Sequence, residues 1–164
     1  DQLVLAAGAW SEKFVRQLTG RGIPLDTERG YHLMLPNAAE QLNIPVTSAD
    51  RRFIMTPMSE GLRLAGTVEF GGLEKAPDMR RAQMLAAHAR TLIPEMNADT
   101  GDSWMGFRPS LPDSLPVIDQ IGPKQQVTLA FGHQHLGLTQ AAITAELHDL
   151  KKNALYKLGL ELGL

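Results

Sequence analysis

The chain has 164 residues, of which 43% are hydrophobic, a net charge of −2 and no cysteine. That length suits one domain or two small lobes sharing a core, and the missing cysteines exclude disulfides, thiolate catalysis and cysteine–zinc sites. Lys and Arg are scattered rather than gathered into the basic patch a nucleic-acid surface needs, no apolar run approaches the ~20 residues of a membrane span, and DQLVLAAGAW lacks the basic start of a signal peptide.

Leu3 to Ala6 reads as a short buried strand, followed by the small residues Ala7-Gly8-Ala9, where backbone can approach a ligand. Ser11 is placed to cap a helix that carries Phe14, Val15 and Leu18 on one face and ends at Gly20 and Gly22. Between Pro24 and Pro36, Tyr31, Leu33 and Leu35 alternate with His32 and Met34, the period of a strand. Asn37 to Asn43 is polar and suits a helical turn. Arg52 to Met58 and Leu62 to Phe70 form a hairpin around Ser59-Glu60-Gly61. In its second strand Leu62, Leu64, Gly66 and Val68 are expected on the packed face and Arg63, Ala65, Thr67 and Glu69 on the other.

Asp78 is placed to cap a helix from Met79 to Ile93, with Ala82, Leu85, Ala86, Ala89 and Ile93 as its apolar stripe and Pro94 as its stop. Residues 97–103 read as a polar loop and Trp104 to Arg108 as a short strand. Pro109 to Pro116 is too proline-rich for regular structure, and Pro116 to Ile118 is extended. Val127 to Phe131 (VTLAF) reads as a buried strand. It runs through Gly132, His133, His135 and Gly137 into a helix from Leu138 to Leu150, with Ala142, Ala145 and Leu147 among its packed positions. Lys151 to Leu164 reads as a short amphipathic helix interrupted by Gly159.

A strand that ends in glycines and opens a helix makes a ligand-facing loop. Its helix terminus offers unpaired N–H groups and a partial positive charge, which suit an anion or a carbonyl oxygen. His133 and His135 have no HExxH motif or carboxylate partners for a metal, so they line a ligand cleft or simply complete the loop. His88 and His148 are expected to face solvent. Arg108 follows the aromatic-rich strand WMGF and precedes a proline. It could grip a carboxylate with its fork of donors, or pair at the surface with Asp113 or Asp119. Tyr31 could donate a hydrogen bond to a substrate or pack in a core. There is no GxSxG elbow, no Walker loop and no GxGxxG.

Taken together, VLAAGAWS, TERGYHLMLP, TPMSEGLRLAGTVEFGGL, WMGFRPSLPDSLPVI and AFGHQHLGLTQAA resemble, in this order, the C-terminal half of FAD-dependent amino-acid oxidoreductases. The D-amino-acid dehydrogenase branch is the nearest in kind, with glycine and sarcosine oxidases more distant, and the likeness covers Leu3 to about Leu150. It implies an α+β fold. An antiparallel substrate lobe (25–107) would be joined to the C-terminal pieces of a Rossmann-like FAD domain (1–24 and 108–150), followed by a tail (151–164) unlike the family's ending. It implies oxidation of an amino acid's C–N bond by hydride transfer to FAD, with Arg108 on the substrate carboxylate and Tyr31 and His133 near the substrate. Ala7, Gly8, Gly30, Gly132, Gly137, Leu138 and Thr139 would contact the cofactor, and no residue serves as a general base. The family's GxGxxG half is missing, so the resemblance implies a chain inactive alone, needing that N-terminal half and an electron acceptor, a quinone or oxygen. It further implies a cytoplasmic protein, or one peripheral to the inner membrane. The competing reading is a non-catalytic module that forms a homodimer through exposed strand edges without flavin.

Overall fold

The computed structural model describes residues 2–98, 100–122 and 124–152, and the side chains of these up to residue 147. The Lys151 to Leu164 helix expectation therefore falls, beyond Lys152, outside the described residues, as does the side chain of His148. The fold is mixed α+β. The described residues form two compact units, one from within Asp1–Thr27 and Arg108–Leu164 and one from Glu28–Phe107.

In the first unit β1 (Leu3–Leu5) pairs parallel with β8 (Val127–Phe131), and β7 (Val117–Ile121) pairs antiparallel with β8, giving the order β1-β8-β7. Helix α1 (Ser11–Thr19) follows β1 through a 3-10 turn at Gly8–Trp10, and α3 (Gly137–Lys152) follows β8. The core is Leu5, Val15, Val127, Leu129 and Phe131. Several expectations need correction here. Leu3 and Val4 are exposed at 49% and 62%, because β1 is an edge strand whose apolar side chains meet little beyond β8. Ser11 is the first helical residue and Trp10 occupies the cap position, with the Ser11 hydroxyl buried and unpartnered. Phe14 and Leu18 are exposed, leaving Val15 as the helix's buried apolar contact. Gly20 closes α1 in the left-handed region (φ 69°), its N–H bonded to the Arg16 carbonyl. Ala142, Ala145 and Leu147 are exposed, since the apolar residues of α3 are spread around the helix rather than drawn into one stripe.

In the second unit β2 (Asp26–Leu35), β3 (Val46–Ser48), β4 (Phe53–Met58), β5 (Gly61–Phe70) and β6 (Asp102–Ser110) form a sheet in the order β3-β4-β5-β2-β6. The short β3 gives no period long enough to see in sequence. Met58 pairs with Gly61, so the hairpin loop is Ser59-Glu60. Helix α2 (Arg80–Leu92) lays Ala82, Leu85, Ala86 and Ala89 on the sheet face that carries Leu33, Leu35, Phe53, Met55, Leu62 and Leu64. His88 is not solvent-facing: it is half-buried with its ring 5.7 Å from that of Phe53. β6 runs on through Pro109 to Ser110, where the composition suggested irregular chain; a proline is tolerated there because β6 is an edge strand.

One irregularity reverses a face. The register of β2 with β5 runs Tyr31↔Thr67 and then His32↔Ala65, so Gly66 is an extra residue in β5. A bulge of this kind shifts the alternation by one. Leu62 and Leu64 point to the core before it, whereas beyond it Glu69 is buried and Val68 and Phe70 are exposed. The expectation that Val68 packs and Glu69 stays on the polar face is therefore inverted. Gly66 has no substitute here, since a Cβ would lie 2.5 Å from the Arg52 carbonyl oxygen and 2.6 Å from Phe53.

Candidate functional site

The first unit builds a loop at the end of β8. Gly132 has φ 86°, and a Cβ there would stand 2.5 Å from the Leu111 side chain, so both conformation and space require glycine. Gln134 is also left-handed (φ 52°) and donates its N–H to the Pro109 carbonyl at 3.0 Å, tying the loop to the end of β6. Leu136 N–H bonds to the His133 carbonyl at 2.9 Å, and the Leu136 carbonyl accepts the first helical bond from Gln140. The N–H groups of Gly137, Leu138 and Thr139 thus begin α3 without intrahelical acceptors. No acidic residue sits in that first turn, and Leu138 is 95% exposed, so the terminus is open and positive.

His133 turns back onto α3. Its Nε2 lies 2.9 Å from Thr144 Oγ1, and burial pushes the imidazole below its ordinary value, favouring the neutral ring. His135 is exposed. Among the described residues no group of three or more acidic or imidazole side chains gathers as metal ligands.

Ala7 and Gly8 sit in the turn before α1, at the same end of the sheet as the loop after β8, because β1 runs parallel to β8. Gly8 has φ 55°, and open space lies where its Cβ would be. Beside it is a hollow of about 490 Å³, mostly apolar, lined by β1, Ala6, Ala7 and the α1 residues Phe14, Gln17 and Leu18. Arg108 is half-exposed in β6. Among the described residues it makes neither the Asp113 nor the Asp119 pair, and no other partner holds its guanidinium.

Tyr31 belongs to the second unit, as does Gly30, which is buried opposite Val68. The Tyr31 ring is 1% exposed, and its hydroxyl donates to Glu69 Oε2 at 2.6 Å and accepts from the Asp78 N–H at 3.2 Å. Glu69 also receives Arg29 Nη1 at 3.3 Å and Lys75 Nζ at 2.5 Å, with Arg81 Nε at 3.8 Å. Arg29 is fully buried. It donates its other arm to the Lys75 carbonyl and lies 5.4 Å from the Phe107 ring centre. Buried charges persist only when paired, and this cluster pairs them. Lys75 and Tyr31 hold the Glu69 carboxyl below the usual range, against the opposing effect of burial. Sequence reading missed Arg29, Glu69 and Lys75. The available signal was Arg29, a charged residue on the same parity as Tyr31, Leu33 and Leu35.

The family model described as FAD dependent oxidoreductase matches residues 1–148. A D-amino-acid oxidase of Bradyrhizobium diazoefficiens is 39% identical over 151 residues, covering 90% of this chain and 36% of that protein. A D-amino acid dehydrogenase of Paramagnetospirillum magneticum is 30% identical over 167 residues, covering 98% of this chain and 39% of that protein. The chain thus spans well under half the length of these relatives. Among solved structures, L-proline dehydrogenase from P. horikoshii superposes with a TM-score of 0.73 at 19% identity, over 93% of this chain and 42% of that one. Glycine oxidase from Geobacillus kaustophilus gives 0.71 at 23% identity, over the same shares. With 148 of its residues matched by that model, the chain belongs to the FAD dependent oxidoreductase family.

Proposed function

We propose that this chain is the C-terminal part of a flavin enzyme that oxidises the C–N bond of a D-amino acid or a related secondary amine, and that it is inactive by itself. The observation that carries the reading is the 39% identity to a D-amino-acid oxidase over 90% of the chain, from which only 36% of that relative is represented. FAD, when bound, supplies the acceptor for a hydride leaving the substrate's α-carbon.

The residues present fit that group. Gly8 leaves open space at a turn, and the first turn of α3 presents donors with no acid beside them. Ala7, Gly8, Gly30, Gly132, Gly137, Leu138 and Thr139 would hold the cofactor. The Gly137, Leu138 and Thr139 N–H groups would receive a carbonyl edge and stabilise negative charge on it. Arg108, with its donors uncommitted, would bind and orient the substrate carboxylate through paired N–H···O bonds. His133, held neutral against Thr144, would support the loop and border the substrate. Tyr31 would act through the Glu69 cluster, since its one hydroxyl proton already goes to Glu69. A neutral amine losing a hydride demands no general base, so no residue is assigned that role. An electron acceptor, a quinone or oxygen, would complete turnover, and the whole enzyme would be cytoplasmic or peripheral to the inner membrane. Among the described residues no helix is long and apolar enough to cross a membrane.

The test is reconstitution. The 164-residue chain mixed with FAD should retain no flavin after desalting, whereas the complete enzyme should retain it and bleach with a D-amino acid but not its L-enantiomer. Substrate-dependent bleaching by the chain alone would overturn the claim of inactivity. A second reading, a flavin-free module that self-associates, draws on the unpaired outer edge of β1 with Leu3 and Val4 exposed. A flavin-free dimer by native mass spectrometry, with no rescue by the N-terminal half, would favour it.

A further inference from the structure

The His133 ring is folded back along α3. Leu136 donates its N–H to the His133 carbonyl at 2.9 Å, which closes the loop, and the His133 Cβ lies 3.7 Å from where a Cβ on Gly137 would stand. Gly137 and Thr144 are about two helical turns apart and so share one face of α3. The ring runs along that face until its Nε2 is 2.9 Å from Thr144 Oγ1.

The direction of this bond follows from what else the hydroxyl does. A threonine inside a helix can turn its hydroxyl proton to the carbonyl one turn back, and Thr19 does so, donating to the Val15 carbonyl at 2.8 Å. Thr144 makes no such bond: among the described residues its one side-chain hydrogen bond is to His133. Its proton is free to be given, and Nε2 accepts it. Burial favours the neutral ring. A neutral imidazole has a single N–H, which then sits on Nδ1. Nδ1 has no hydrogen-bond partner among the described residues and is not enclosed, so its N–H is open to a ligand.

We infer that Thr144 is a positioning residue that fixes His133 in its Nδ1–H form, so that the ring presents a donor to the ligand. Such a ring selects an oxygen, of a carboxylate or a carbonyl, and disfavours an ammonium, whose N–H groups would meet another N–H. It is also a poor base, because the lone pair that could take a proton is covered by Thr144. The identity of the ligand, the carboxylate of a D-amino acid, rests on the flavin-enzyme reading above; the ring's proton position does not.

The proton position is read on the isotope-labelled 164-residue chain, without flavin, from long-range proton–nitrogen NMR correlations of His133 at neutral pH. The unaltered chain and Thr144→Ser should carry the proton on Nδ1. Thr144→Val, of the same shape without the hydroxyl, should move it to the Nε2 form that imidazole side chains prefer in water. An Nε2 proton in the unaltered chain, or an unchanged ring in Thr144→Val, would overturn the inference. If Thr144→Val fails to fold, the unaltered chain still decides. In the complete enzyme Thr144→Val should raise KM for a D-amino acid about three- to tenfold with kcat little changed, as for the loss of one hydrogen bond, and Thr144→Ser should leave KM as it is. An unchanged KM in Thr144→Val would overturn the donor role. Absence of turnover with any D-amino acid would instead sink the enzyme reading, and the proton position on His133 would stand.

Discussion

Tyr31 and Glu69, 38 residues apart in the chain, meet through a 2.6 Å hydrogen bond in which the phenol donates to the carboxylate. The contact exists because the bulge at Gly66 turns Glu69 inward, onto the side of the sheet where Tyr31 lies. It joins two neighbouring strands to the segment before α2, since the same hydroxyl accepts the Asp78 N–H.

Tyr31→Phe removes the hydroxyl and leaves a buried carboxylate oxygen with one partner fewer. We expect a loss of about 1–3 kcal/mol in stability, measured by urea denaturation of the chain. An unchanged midpoint would show that the hydroxyl contributes nothing net.

Acid should weaken the second unit in a defined window. Arg80, chiefly through its side-chain hydrogen bond, holds Asp78 down to about 2 from its ordinary 3.8, and Lys75 and Tyr31 hold Glu69 low as well. Carboxyls with depressed values add stability above their unfolded values and lose it as pH falls through the folded ones. Stability should therefore decline from about pH 4 towards pH 2, and Lys75→Met should flatten that decline. A pH series of thermal midpoints checks both; a slope identical in Lys75→Met would exclude Glu69 as a contributor.

His133 should titrate below 6.5 because burial disfavours its charged form. The unfolded chain then takes up a proton first as pH falls below 6.5, so this group contributes stability at neutral pH that is lost on acidification. NMR titration of the ring reads the value directly. A midpoint above 6.5 would mean that the ring is not desolvated as described.

Gly132→Ala should be costly on two counts, the left-handed backbone (φ 86°) and the approach of Leu111 at 2.5 Å. We expect a loss of about 1–3 kcal/mol. Adding Leu111→Ala should relieve the steric part and leave the backbone part, so the double variant should be less impaired than the sum of the single ones.

Much of this architecture is legible in residue order. The alternation of Tyr31, Leu33 and Leu35 predicts β2, and the stripe Ala82, Leu85, Ala86 and Ala89 predicts α2 and its buried face. VTLAF followed by Gly132 predicts β8 and the loop after it. What escapes is whatever depends on partners distant in sequence. A three-residue strand such as β3 has no period of its own. Apolar letters at Leu3, Val4, Phe14 and Leu147 do not say that they stay exposed. The Glu69 cluster escapes because one extra residue at Gly66 inverts a parity that reads regularly. Of the candidate site, the glycines and Arg108 are visible as residue types. That His133 faces Thr144, that Arg108 is left unpaired and that Tyr31 is tied to Glu69 follow only from the three-dimensional arrangement.

The central claim, that Arg108 anchors the carboxylate of an amino acid oxidised at bound flavin, is tested most directly by steady-state kinetics of Arg108→Ala in the complete enzyme, with flavin content measured alongside. Loss of a paired, charge-assisted contact should raise KM for a D-amino acid about tenfold or more while the flavin spectrum stays unchanged. Unaltered KM and kcat at full flavin occupancy would contradict the account.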